Sequence, residues 1–302
     1  MSERSKSLDP AVLDRLEGLS LVARNVVEGV MAGHHRSPFR GSSSEFAQHR
    51  EYVLGDELRH IDWRIFARND RLVIKEFIEE TTLGCHILVD SSESMAFGTT
   101  GWTKFDYARW CAAALAHLVL GQRDTAGLVL FDNEERTKVQ PGNGEIQLRG
   151  ILNALEEAEP AGPTGIGKVL QWLAGRLSRR GIVAIFSDFF DEPEDIVTGV
   201  RHLAERGHEP ILFQVVDPRE LDFAIDRLVR LDGLEGTGVH KIDPKAIRAA
   251  YVEEVENHNK LLARHARQHS IDYVQLDTSQ SVEAVLSTYL SRRTARARGG
   301  AR

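Results

Sequence analysis

Five short runs dominated by apolar residues, at 85–89, 125–131, 182–186, 211–216 and 271–276, constrain this chain most. Strands of an antiparallel sheet with one wet face alternate apolar and polar residues, whereas strands covered on both faces read as near-continuous apolar runs. The stretches between the runs have helical character. Phe105, Ala108, Ala112, Leu115 and Val119 recur at helical spacing, and 146–158, 166–177, 193–206, 244–269 and 281–290 also read as helices. Strand alternating with helix predicts an α/β fold with a central, mainly parallel sheet and helices on both faces. A short antiparallel return is expected at 136–139, and a hairpin interrupted by Gly-rich turns near 228–242.

Upstream of this pattern, 8–31 carries apolar residues at helical spacing and 33–44 reads as a loop. Residues 45–69 are charged and aromatic without clear period, and 71–79 alternates as a strand. The expected division is an N-terminal helical and extended segment (1–82) packed against an α/β domain (83–291), then a disordered basic tail (292–302). With 42% hydrophobic residues over 302 positions, a sizeable core is available. The net charge of -7 argues against a dedicated nucleic-acid binder. The two cysteines, Cys85 and Cys111, lie in apolar runs and read as core. The longest apolar run, 111–120, is too short to span a bilayer, and the polar first ten residues lead into no signal-like segment. The chain is expected to be cytoplasmic.

The run at 85–89 ends in Asp90-Ser91-Ser92-Glu93-Ser94, an Asp-x-Ser-x-Ser loop at the carboxyl end of a buried strand. Open α/β sheets bind ligands at this edge. One carboxylate and two hydroxyls are hard oxygen donors, suited to Mg²⁺ or Mn²⁺ rather than zinc. The pattern alone arises in roughly one chain in ten of this length, and Asp and Ser also make plain turns. Two other loops offer further oxygens at the same sheet edge. Thr164 precedes a helix, where the bland alternative is an N-cap. Asp188 follows the run at 182–186, with Asp191 as a rival.

Asp90, Ser92, Ser94, Thr164 and Asp188, in this order and context, resemble the metal-ion-dependent adhesion site of von Willebrand A domains. The resemblance covers about 83–217. It implies that the serines and threonine contact a divalent metal, with the acids binding directly or through water. Glu93 departs from the small residue relatives often carry.

A second resemblance covers 33–80. Gly33, His35, Ser37, Gly41, Glu45-Phe46, Arg50, Tyr52, Gly55-Asp56-Glu57, Arg59, Ile61-Asp62-Trp63, Arg68 and Lys75-Glu76-Phe77 look like the signature of the bacterial domain of unknown function 58 family, with mild departures at Ser43 and Glu57. That signature directly precedes a von Willebrand A-like domain. The segment's arginines and aspartates read as salt-bridged positions; a binding surface or a catalytic cluster with His35, His49 and His60 is the sharper alternative. The resemblance implies a non-enzymatic, metal-dependent protein-binding module working beside a MoxR-type AAA+ ATPase to remodel or activate a client protein. A metal-dependent hydrolase at the same Asp90/Ser92/Ser94 site is the rival. The Walker-like stretch from Gly162 to Val169 lacks the Ser or Thr after Lys168 and follows a helix, so ATP binding is not expected there. Nucleic-acid binding by the Arg-rich tail would need steep salt dependence.

Overall fold

The computed structural model describes residues 19, 23–24, 27, 44–53, 61–79, 84–177, 180–223, 229–232, 239–242 and 244–299. The chain divides into two compact units, Phe39–Leu83 and Met1–Pro38 with Gly84–Arg302.

In the smaller unit, β1 (Ser44–Glu51) pairs antiparallel with β2 (Val73–Glu79) across a register shift between Phe46 and Gln48. The bulge interrupts the ladder, which explains why 45–51 shows no two-residue period. Between the strands lies α1 (Trp63–Asn69). Asp62 caps it, accepting from the amides of Arg64 (3.0 Å) and Ile65 (3.3 Å).

The larger unit runs β3 (Gly84–Asp90), a 3₁₀ turn (Glu93–Ala96), α2 (Lys104–Gly121), β4 (Thr125–Phe131), β5 (Glu135–Gly142), α3 (Gly144–Glu157), α4 (Ile166–Ala174), β6 (Gly181–Ser187), α5 (Pro193–Glu205), β7 (Glu209–Val216), α6 (Pro218–Asp222), β8 (Val229–Asp232), β9 (Val239–Ile242), α7 (Pro244–Gln268), β10 (Asp272–Asp277) and α8 (Val282–Gly299). Six of these strands form one sheet in the order β10-β7-β6-β3-β4-β5. All neighbours are parallel except β5, which returns antiparallel along β4. The mixed α/β architecture with a mostly parallel, helix-flanked sheet is therefore as predicted and compatible with a von Willebrand A- or Rossmann-like fold. β8 and β9 pair as the expected hairpin.

β3 is wholly buried, as its apolar run requires. One face of the sheet packs Leu88, Val129 and Ile185 against Ile166, Leu170 and Leu173 of α4, Ile196, Val200 and Leu203 of α5, and Leu262 of α7. Each such side chain contributes on the order of 2 kcal/mol on leaving water. α4 and α5 approach closely because Gly199 has no Cβ, which would lie 2.7 Å from that of Leu170. The other face carries α2, whose Ala108, Ala112, Leu115 and Val119 are buried. α2 starts at a capping box: the Asp106 amide donates to Thr103 Oγ1 (3.0 Å) and the Thr103 amide to Asp106 Oδ2 (2.9 Å).

α8 runs from Val282 through Gly299, into the basic stretch that starts at 292. Arginine and alanine favour helix, and Arg293 pairs with Glu209 (2.6 Å) and Asp272 (3.4 Å). Most of the helical prediction over 8–31 and the loop at 33–43 lie outside the described residues. Leu19 and Ala23, within it, are helical and buried. No helix among the described residues is long and apolar enough to cross a membrane.

Candidate functional site

Because β3 lies between β4 and β6 with Asp90 opposite Phe131 and Val89 opposite Phe186, the loops leaving these strands are neighbours at one edge. Asp90 is fully buried there. Its Oδ1 accepts from the Ser92 amide (2.9 Å), closing the turn, and its Oδ2 accepts from Ser187 Oγ at the end of β6 (2.6 Å). Ser91 ties the loop to β4, its amide (2.7 Å) and hydroxyl (3.0 Å) both donating to the Phe131 carbonyl. Ser92 is buried, and its Oγ lies 3.1 Å from Ser94 Oγ.

The loop before α4 is laced onto this turn. The Glu93 amide donates to the Gly162 carbonyl (2.9 Å) and the Ala161 amide to the Ser91 carbonyl (2.8 Å). Two residues on, Thr164 Oγ1 is buried with no hydrogen-bond partner among the described residues. It is not a helix cap, since the N-cap of α4 is Gly165. A buried hydroxyl left without a partner is costly and calls for an explanation. The rival Asp191 serves elsewhere: it accepts from the Gly167 amide at the start of α4 (3.2 Å) and from the Glu192 amide (2.8 Å). The Walker-like loop follows α3 rather than a strand, and Asp191 already occupies that helix start.

Asp188, also fully buried, follows Ser187 directly. Its Oδ1 accepts from the Phe190 amide (3.1 Å) and its Oδ2 from Lys104 Nζ (2.8 Å). Phe189 is held in the left-handed region at φ 57°, its carbonyl 2.9 Å from His258 Nε2 of α7. Residues in such conformations persist where surrounding contacts over-determine them, often at functional sites.

Sequence reasoning missed Lys104. It is fully buried and bridges Asp188 to Glu220 Oε1 (2.6 Å) at the start of α6, with the Phe190 ring 5.1 Å away. A lysine in the first turn of a helix opposes the helix dipole, and that misfit was the available signal. Burial by itself lowers the lysine's pKa, but Asp188 and Glu220 outweigh it and the net shift is upward. Burial, then the charge of Asp188, raises the Asp90 carboxyl to about 7 against hydrogen bonds from Ser187 and Ser92. Burial also raises Glu220, opposed first by Lys104.

The structure thus brings Asp90, Ser92 and Ser94 onto one turn, sets Ser187-Asp188 against Asp90, and bonds the loop carrying Thr164 to the same turn. All are hard oxygen donors. Among the described residues there is no group of three or more His, Cys, Asp or Glu arranged to hold a metal, so a zinc-type cluster is not found there. In the smaller unit, His49 Nε2 lies 3.1 Å from Asp62 Oδ2. His35, Asp56, Arg59 and His60 lie outside the described residues. Cys85 and Cys111 are free and buried, and burial pushes the Cys85 thiol up to about 12, in keeping with a core role.

Among solved structures, the chain is similar to the conserved hypothetical protein BatB from Bacteroides thetaiotaomicron, with TM-score 0.48 and 16% identity over 70% of this chain and 99% of that one. An aerotolerance-related membrane protein from Bacteroides fragilis gives TM-score 0.46 and 16% identity over 71% and 99%. Uncharacterized proteins of Mycobacterium tuberculosis and Mycobacterium bovis are each 30% identical over 264 residues, covering 86% of this chain and 82% of theirs. A family profile described as protein of unknown function DUF58 matches residues 48–261. The chain therefore belongs to the DUF58 family.

Proposed function

We propose that this protein is a metal-dependent protein-binding module of the von Willebrand A type, with Asp90, Ser92, Ser94, Thr164 and Asp188 holding Mg²⁺ or Mn²⁺. The observation that carries the reading is the partnerless buried hydroxyl of Thr164, on a loop hydrogen-bonded to the Asp90–Ser94 turn. The charges agree with it. Lys104 supplies one buried positive charge among Asp90, Asp188 and Glu220, which leaves an excess of negative charge for a divalent ion to offset. With mainly neutral hydroxyl donors, a bound ion would stay electrophilic and supply an acceptor site for a carboxylate from a partner.

Binding is favoured over hydrolysis by the state of Lys104. Its ammonium is held between two carboxylates and its pKa is raised, so it is a poor general base. In this reading the carboxylate comes from a client protein or from a MoxR-type AAA+ ATPase that supplies the work. Magnesium titration by calorimetry tests the site: saturable binding by the wild type and none by Ser92→Ala is expected. Pull-down of the ATPase tests the partner. Capture unaffected by both chelator and Asp90→Ala would overturn this assignment.

A further inference from the structure

We propose that the outer edge of β10 is a docking groove that takes up an extended segment of a partner protein, apolar at its centre and acidic at the end that lies beside Asp272, as an added strand. The groove is separate from the metal-site reading and does not rest on it. A sheet's edge strand presents unpaired amides and carbonyls, and proteins normally blunt such edges with charge, proline or cover. The two edges of this sheet differ in that respect. β5 carries Glu135, Arg136, Lys138 and Pro141, and Gln147 Nε2 donates to its Gln140 carbonyl (2.8 Å). β10 has no charge or proline from Tyr273 to Leu276. Among the described residues, no hydrogen bond outside the β7 ladder reaches the backbone of 273–276.

The edge is also recessed. A groove of about 580 Å³ runs along it, floored by the consecutive residues from Ile271 to Gln275. Both side-chain parities of β10 line it, as expected where the space lies off the strand's edge rather than over one face. One wall is Ala263 and Arg267 of α7; the other is Ala284, Thr288, Arg292 and Arg293 of α8. An added strand would point alternate side chains at the two walls. The small Ala263 and Ala284 leave room for apolar groups. Arg267 on one wall and Arg292 on the other add positive charge beyond Arg293, which Glu209 and Asp272 already pair, on a chain of net charge -7. That local excess selects for carboxylates. A second copy of this chain is a poor occupant: antiparallel pairing of two β10 strands about Val274 and Gln275 sets Asp272 against Asp277 of the other copy.

The probe is a fluorescein-labelled peptide, EVTVTD, matched to the six residues of β10, with a lysine-ended counterpart and two versions N-methylated on alternate residues in opposite phases. Strand addition predicts saturable anisotropy binding of the acidic peptide and hydrogen-exchange protection at 273–276. One N-methyl phase should abolish binding and the other retain it, because only one set of amides faces β10. The lysine-ended peptide, or Arg267→Glu with Arg292→Glu, should weaken binding about tenfold or more. Both arginines are exposed, so the variant is expected to fold; circular dichroism checks this. Equal binding by both N-methyl phases, or indifference to charge, would overturn the proposal. So would β10 protection that grows with protein concentration without peptide, which would assign the edge to self-association.

Discussion

Lys104 sets the charge of the rim. Its ammonium is within hydrogen-bonding distance of both Asp188 and Glu220, and all three groups are largely out of water. Removing one member of a buried ionic group leaves the others uncompensated, at a cost of about 3–5 kcal/mol. Lys104→Met should lower stability to urea by that order in chelator, with magnesium recovering part of the loss by offsetting Asp188. A Lys104→Met protein as stable as wild type in chelator would show that the two carboxylates do not depend on this lysine. Asp90 acts in the opposite sense. Its carboxyl is raised to about 7 in the fold but titrates near 3.9 when unfolded. Between these values the folded state binds more protons, so stability falls as pH rises from about 4 to about 7 and is level above. Asp90→Asn should remove that fall. In chelator at pH 8 it should exceed wild type by on the order of 4 kcal/mol, and near pH 4 the two should converge. Denaturation series across that window would expose a wild-type slope of the wrong sign.

At the scale of elements, the loop before α4 depends on Gly162. Its φ is +81°, and an added Cβ would lie 2.6 Å from Asp132 Oδ2 and 2.9 Å from Arg136 Nη2. Asp132 is buried at the end of β4 and ion-paired with Arg136, so its carboxylate does not yield easily. Gly162→Ala should cost about 1–3 kcal/mol and weaken magnesium binding through displacement of Thr164, while far-ultraviolet circular dichroism stays unchanged. Undiminished calorimetric binding would separate Thr164 from the site. The same elements show what sequence makes legible. The parallel strands stood out because burial on both faces erases alternation, and Thr103 with Asp106 marked the start of α2 because capping is local chemistry. β1 was hidden by its bulge, and the end of α8 by a charge run that reads as solvated until Glu209 and Asp272 are seen beside Arg293. Asp90, Ser92 and Ser94 were legible as a contiguous pattern. Lys104 and Glu220 were not, because only the fold carries the starts of α2 and α6 to the same carboxylate.

For the molecule as a whole, the order β6-β3-β4 turns chain separation into adjacency. Asp90 and Asp188 follow adjacent strands of the sheet, and the loop carrying Thr164 is tied by backbone hydrogen bonds to the turn after Asp90. An ion coordinated by all three would bind the folded state and not the unfolded chain, so its binding free energy adds to folding free energy. At a hundredfold excess of magnesium over its Kd the gain is about 2.7 kcal/mol. For a domain of this size that raises Tm by about 5 °C or more. Ser92→Ala and Asp90→Asn should show almost none of this rise, because each removes an oxygen from the turn that the other loops are bonded to. Scanning calorimetry with magnesium and with chelator measures all three proteins on one scale. A rise shared equally by wild type and both variants would place the ion somewhere other than the edge between β3 and β6.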